Sequence, residues 1–124
     1  STCSIDPATG LLFIGDFSGF VHCLDAETGK LQWVYDMKAH MWGSTFVVDG
    51  KVYVGDEDGD FVVLKADRTM KLISETNLGA PVYSTPVVAN GTMYVGSQTH
   101  LFAIAAGATP TGVEKPSGNI EIKK

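Results

Sequence analysis

The chain has 124 residues, of which 44% are hydrophobic and 19% are charged, and its formal net charge is -5. These fractions are typical of a globular protein with a core rather than of a disordered chain. The nine Lys and Arg residues are scattered, so no basic cluster is available for a phosphate backbone and nucleic acid is not expected as a partner. All apolar runs are far shorter than the roughly 20 residues that cross a bilayer, so no membrane span is expected.

The first part of the chain predicts a unit of short strands. Apolar or alternating runs at Leu11–Gly15, Phe20–Asp25 and Leu31–Tyr35 are bounded by Gly, Asp or Thr, which is the pattern of strands rather than of helices. The segment Asp6–Gly10 precedes the first of these runs and predicts a long hairpin loop.

The second part repeats the pattern with a tighter first turn. We predict strands at Thr45–Val48, Lys51–Gly55, Asp60–Lys65 and Lys71–Thr76. Asp49-Gly50 joins the first two strands and suits a type I′ turn, because both of its central residues need positive φ.

The third part starts in the same way and then stops. Asn90-Gly91 repeats the turn, and His100–Ala105 corresponds to a third strand. From Gly107 the composition changes to Gly, Pro, Thr and Lys, which predicts a linker or a flexible tail. Asn119–Lys123 could form a short strand that closes the third unit or pairs elsewhere.

The three units form an internal repeat. Aligning Gly15, Gly55 and Gly96 gives a period of about 40 residues, within the range of solenoids, propellers and arrays. Leucine-rich repeats are shorter, and helical arrays need helices that the sequence does not predict. Four antiparallel strands in about forty residues match the strand number and length of one propeller blade.

The sequence therefore predicts an all-β fold, a partial β-propeller of about three four-stranded antiparallel blades. Each blade must bury its faces against its neighbours. The predicted divisions are blade 1 at 1–43, blade 2 at 44–83, an incomplete blade 3 at 84–106, and a linker or tail at 107–124.

The most specific motif runs from Cys23 to Trp33. It resembles the tryptophan-docking repeat of the pyrroloquinoline quinone (PQQ) type propellers, in which a small residue, an Asp, a Thr-Gly turn and a Trp recur at these spacings. Asp25 can accept hydrogen bonds from turn amides, and Gly29 can supply a left-handed residue. Trp33 is then free to pack between blades. We interpret Asp25, Thr28, Gly29 and Trp33 as a structural docking motif.

The resemblance covers residues 1–106 through the strand and glycine pattern, but only the first copy carries the complete motif. The second copy, at 63–69, lacks the Gly and the Trp, and the third copy departs after Ala105. Blade packing in those copies must use other residues.

The resemblance implies two possible functions. Some members of the family are thought to be barrel-assembly lipoproteins, so the leading interpretation is a non-catalytic segment that binds or scaffolds proteins. Its partners would be other blades or other proteins, with self-association possible through exposed blade edges. The alternative is a segment of a PQQ-dependent alcohol or sugar dehydrogenase, in which residues from many blades hold the quinone and calcium.

The resemblance assigns no catalytic, cofactor-binding or metal-binding residue to this chain, and it leaves open whether the whole protein is an enzyme. It also implies a periplasmic or otherwise exported bacterial protein. The chain begins at Ser1 without a charged and apolar leader, so we expect any export signal to have been removed or to lie outside this segment.

Two features resemble other kinds of site. Cys3 and Cys23 are too few for a metal cluster; Cys23 is interpreted mainly as a small buried residue, with a disulfide to Cys3 as the alternative. The acidic stretch Asp56–Asp60 suggests calcium, but it lacks the EF-hand spacing and aligns with the turn at 16–20. We expect an ordinary turn there.

The three histidines, His22, His40 and His100, have no spacing that indicates a nucleophile and a base, so surface or packing roles are expected. Trp42 lies just before a predicted first strand, at an end of the blade near the channel of a propeller. It is either part of a ligand surface or, as we favour, buried under the neighbouring blade, because a large aromatic side chain usually stabilises a protein by burial.

Overall fold

A computed structural model describes residues 1–108, which form three antiparallel sheets with no helix among them. Sheet 1 contains β1 (Ser4–Asp6), β2 (Leu11–Gly15), β3 (Phe20–Asp25) and β4 (Leu31–Asp36). Sheet 2 contains β5 (Phe46–Val48), β6 (Lys51–Gly55), β7 (Asp60–Lys65) and β8 (Leu72–Asn77). Sheet 3 contains β9 (Val87–Ala89), β10 (Thr92–Gly96) and β11 (Leu101–Ile104).

The predicted all-β antiparallel architecture is confirmed. Strands follow one another in space in chain order within each sheet, and the predicted strand boundaries differ from the observed ones by at most one residue. In the part of the chain that the structure describes, no helix is long and apolar enough to cross a membrane. The predicted strand at 119–123 and all of the predicted tail beyond Ala108 lie outside the described residues.

The two short hairpin turns have the predicted backbone. Asp49 and Gly50 have φ values of 51° and 70°, and Asn90 and Gly91 have values of 51° and 75°. Both turns connect strands whose flanking residues pair directly, with Val48 opposite Lys51 in sheet 2. Positive φ at two successive residues is what a type I′ turn requires, and Asp or Asn followed by Gly tolerates it.

Sheet 2 lies between the other two sheets, and its strand β7 is buried on both faces. One core cluster joins buried residues of sheet 1 to Val62 and Leu64 of β7, and a second cluster joins Phe61 and Val63 of the same strand to sheet 3. Successive side chains of a strand point to opposite faces. Because both faces of β7 are covered, its four central residues are all apolar. This is the packing expected of stacked repeat units.

The glycine that ends the second strand of a unit leaves room for the connection to the next unit. A Cβ at Gly15 would collide with the Met41 side chain, and one at Gly55 would collide with Val82. Met41 and Val82 are buried and occupy the same place in successive repeats. The recurrent Gly is therefore a packing requirement, since any side chain would displace a core residue.

Candidate functional site

The docking motif forms the turn between β3 and β4. Asp25 Oδ1 accepts hydrogen bonds from the backbone N–H groups of Glu27 and Thr28, both at 3.0 Å. The Gly29 N–H donates to the Asp25 carbonyl oxygen at 2.8 Å, and Gly29 has a φ of 72°. The Thr28 amide, followed by the Arg68 side chain, holds the pKa of Asp25 below its usual value. Asp25, Thr28 and Gly29 thus lie together in one turn.

Trp33 lies between sheet 1 and sheet 2. Its side chain is 8% exposed and belongs to the core cluster shared by these sheets. The indole Nε1–H donates to the Asp67 carbonyl oxygen at 2.8 Å, and the ring centroid lies 5.8 Å from that of Phe13. Nearby, Arg68 Nη1 lies 3.1 Å from Asp25 Oδ2. These contacts link the first unit to the loop after β7.

A different surface carries the exposed aromatic side chains. Phe17, Trp42 and Tyr83 are 55%, 55% and 45% exposed, yet they contact one another edge to face. The ring centroids of Phe17 and Trp42 are 5.0 Å apart, and those of Trp42 and Tyr83 are 6.0 Å apart. His40 joins the group, with its ring 4.6 Å from that of Phe17. We call Phe17, His40, Trp42 and Tyr83 the aromatic patch.

Three sheets contribute to the aromatic patch through their connections. Phe17 lies in the turn between β2 and β3, His40 and Trp42 in the connection from β4 to β5, and Tyr83 in the connection from β8 to β9. In antiparallel units of this kind, the second turn and the connection to the next unit lie at the same end of the strands. The patch therefore exists only when the units are stacked.

The favoured prediction that Trp42 is buried is wrong. Met41 is the residue of this connection that fills the space above Gly15, and its neighbour Trp42 lies on the surface. The backbone at Gly43 approaches Ser84 so closely that a Cβ there would lie 2.8 Å from the Ser84 carbonyl oxygen. A side chain at Gly43 would therefore collide with the next connection.

The sequence analysis identified Trp42 but missed Phe17 and Tyr83. A signal was present, because the structure places Trp42 and Tyr83 one residue after the equivalent buried residues Met41 and Val82. An aromatic residue thus recurs at one exposed position of the repeat. Phe17 had no such signal, since its contact with Trp42 joins parts of the chain that are distant in sequence.

Carboxylates border the aromatic patch. Glu57 Oε1 lies 3.3 Å from His40 Nδ1, and the other carboxylate oxygen accepts a hydrogen bond from Trp42 Nε1 at 3.3 Å. Asp16 lies beside Phe17, and its hydrogen bond with His22, at 2.8 Å, holds the pKa of Asp16 below its usual value. Asp16 thus stays ionised in mildly acidic solution, so this border carries negative charge.

The acidic stretch Asp56–Asp60 forms the turn between β6 and β7, as expected. Asp56 Oδ1 accepts from the backbone N–H groups of Asp58 and Asp60, both at 3.0 Å. Asp56 is fully buried, its Oδ2 makes no hydrogen bond in the described residues, and burial raises its pKa. Within residues 1–108, no three His, Cys, Asp or Glu side chains are grouped so that they could hold a metal ion.

The cysteines and histidines offer no reactive pair in the described part of the chain. Cys3 is exposed and Cys23 is buried, and both thiols are free, so the disulfide alternative is wrong. Burial raises the pKa of Cys23 to about 11, which disfavours the reactive thiolate. His22 contacts a carboxylate, as does His40, while the ring of His100 contacts the neighbouring hydroxyl of Thr99 and the ring of Phe102.

Comparison with known proteins identifies the family. A family model described as outer membrane protein assembly factor BamB matches residues 18–119, most of the chain. The chain belongs to this family. The outer membrane protein assembly factor BamB of Yersinia pestis is 27% identical over 88 residues, which make up 70% of this chain but only 22% of that relative. The chain thus spans less than a quarter of its curated relative.

Solved structures agree on the fold. BamB from Moraxella catarrhalis matches 76% of this chain and 28% of its own length, with a TM-score of 0.64 and 21% identity. Quinohemoprotein alcohol dehydrogenase ADHIIG from Pseudomonas putida HK5 matches 72% of this chain and 15% of its own length, with a TM-score of 0.63 and 25% identity. These neighbours are β-propeller proteins, and the three sheets are PQQ-like propeller repeats.

Proposed function

We propose that this chain is a non-catalytic segment of a propeller that binds or scaffolds other proteins through the aromatic patch. The observation that carries the proposal is the exposure of three contacting aromatic rings, one in a turn of sheet 1 and two in the connections that join successive sheets. Soluble proteins rarely leave contiguous aromatic surface in water, and such a surface marks an interaction site. Trp and Tyr are also the side chains that most often dominate binding energy.

The border of the patch indicates the chemistry of the partner. Glu57 contacts two members of the patch, and the side chains of Asp16 and Asp58 are also accessible beside it. The whole chain has a net charge of -5. A partner that inserts apolar side chains between the rings and presents Lys or Arg at the border fits this surface.

The family supports the same proposal and suggests a location. The curated relatives are named outer membrane protein assembly factors, and a factor of that kind contacts other proteins. By this resemblance we propose a periplasmic or otherwise exported bacterial location.

Site-specific photocrosslinking tests this function in the full-length protein. A photoreactive phenylalanine analogue at Phe17 is expected to crosslink a discrete partner protein in the bacterial envelope, whereas the same analogue at Ile5, equally exposed but outside the patch, is not. Trp42→Ser is expected to weaken the partner's affinity about 30-fold, because hot-spot aromatics contribute at least about 2 kcal/mol. Equal crosslinking from both positions would contradict the proposal.

The alternative proposal is a segment of a quinone-dependent dehydrogenase, and the likeness to an alcohol dehydrogenase of 25% identity favours it. The described residues do not form a cluster that could hold the calcium ion of such a site, so no step of quinone chemistry is derived from them. Reconstitution of the full-length protein with PQQ and calcium tests it. Dye-linked oxidation of alcohols or sugars would support the dehydrogenase and contradict the scaffold.

A further inference from the structure

The interface between sheet 2 and sheet 3 lacks the side chain that fills the interface between sheet 1 and sheet 2. In sheet 1, Cys23 pairs with Trp33 just before an irregularity in the register. In sheet 2, the equivalent residue Val63 pairs with Ser74 just before the same irregularity. Ser74 therefore occupies the position of Trp33, and an indole is replaced by a hydroxymethyl group.

Ser74 lines a cleft of about 500 Å³ between sheet 2 and sheet 3. One wall comes from sheet 2 and includes Tyr53, Phe61 and Ser74, and the facing wall comes from sheet 3 and includes Met93 and Ile104. Tyr53 and Phe61 are stacked, with centroids 6.0 Å apart and an angle of 24° between the rings. The walls are mainly apolar, with two aromatic rings and with Asp49, Lys51 and Thr76 among the polar lining residues. The volume is within the range of roughly 300–1,000 Å³ typical of sites for small molecules.

We propose that this cleft binds a small planar aromatic molecule of the size of indole. The equivalent space between sheets 1 and 2 holds the indole of Trp33, whose ring packs against Phe13. The register places Tyr53 in sheet 2 where Phe13 lies in sheet 1, so a ligand ring in the cleft meets an aromatic ring in the same way. Met93 on the opposite wall provides a polarizable sulfur, which makes favourable contacts with aromatic rings.

The ligand site is separate from the proposed protein-binding surface. None of the residues that line the cleft belongs to the aromatic patch. The inference does not depend on the proposed function, and a variant of either surface leaves the residues of the other in place.

Titration with free indole, followed by NMR of ¹³C-labelled methionine methyl groups, tests the site. The full chain is used, so that residues 109–124 are present during the measurement. We expect the Met93 methyl resonance to shift saturably, while the resonance of Met41, buried between sheets 1 and 2, stays in place. Absence of a saturable shift at Met93, or an equal shift at Met41, would overturn the proposal.

Two filling variants and one matched control complete the test. Ser74→Trp is expected to weaken indole binding at least tenfold, whereas Ser74→Ala leaves the cleft open and the affinity within twofold. Ile104→Trp fills the cleft from the opposite wall, at a partly exposed position, and serves if the first variant does not fold. Unchanged affinity in a folded filling variant would overturn the site. Binding of N-acetyltryptophanamide without binding of indole would assign the cleft to a protein side chain and overturn the small-molecule proposal.

Discussion

The two interfaces between sheets share one register but are filled differently. Between sheets 1 and 2, Trp33 lies in a continuous core and donates a hydrogen bond to the Asp67 carbonyl oxygen. Between sheets 2 and 3, Ser74 leaves a cleft, and the core consists of fewer fully buried residues. The strand and glycine pattern is shared by both interfaces, while the side chain at the position of Trp33 and Ser74 is one of the differences in how the space between units is filled.

The same comparison applies to one carboxylate in each unit. Asp16 and Asp56 both follow the glycine that ends the second strand, and both accept backbone hydrogen bonds from the turn. Asp16 also pairs with His22, which lowers its pKa, whereas burial raises the pKa of Asp56. Val62 stands in sheet 2 where His22 stands in sheet 1. The pKa values of these equivalent residues are thus shifted in opposite directions because their surroundings differ.

The largest expected effect is on stability, from truncation of Trp33. Trp33→Ala removes a buried indole and its hydrogen bond to Asp67, and we expect the free energy of unfolding to fall by about 3–5 kcal/mol. Ser74→Ala, at the equivalent position in sheet 2, is the matched control and is expected to change it by less than about 0.5 kcal/mol. Urea denaturation measures both. Equal effects would mean that the two interfaces do not differ in the way described.

The next prediction concerns the edge of sheet 3. Within the described residues β11 has no strand on its outer side, and Leu101 is 73% exposed; such an edge invites pairing with another chain. We expect the isolated segment to self-associate and Leu101→Lys to shift it toward monomer. Light scattering at about micromolar or higher concentration measures this. A well-folded monomer of the unmodified segment would contradict the prediction.

The contributions of Asp16 and Asp56 to stability should depend on pH in opposite ways. The lowered pKa of Asp16 stabilises the fold above its usual pKa, and this contribution is lost as pH falls through the folded value. The raised pKa of Asp56 does the opposite, because stability falls as pH rises from the usual pKa through the folded value. Asp16→Asn should therefore destabilise the fold more near neutral pH than in acid. Asp56→Asn should destabilise it less near neutral pH than in acid. Chemical denaturation between about pH 3 and 7 would show the two trends, and parallel trends would refute them.

The smallest effect is a difference in thiol reactivity. In the native protein we expect a disulfide-exchange reagent to label Cys3 and not Cys23, since the latter is buried and has a raised pKa. Because Cys23 pairs with Trp33, Trp33→Ala should accelerate labelling of Cys23, whereas Ser74→Ala should not. Mass spectrometry of quenched samples distinguishes the two thiols. Rapid labelling of Cys23 in the unmodified protein would contradict the burial described.

Local rules were enough to predict the strands and turns. Asp49-Gly50 and Asn90-Gly91 carry a conformational preference in two residues, and alternation identifies each strand without knowledge of its neighbours. The contacts of Trp42 could not be predicted in this way. Met41, and not Trp42, fills the space over Gly15, and this contact joins residues that are distant in sequence.

The sequence by itself determined the repeat, the antiparallel strands and the family resemblance, because these depend on residue spacing within about forty positions. Only the tertiary structure decided the aromatic patch and the cleft. Phe17, Trp42 and Tyr83 become neighbours only when three units stack. Ser74 lines a cleft only because a second sheet faces it. Surfaces and cavities are properties of packed elements, so a pattern within one unit does not contain them.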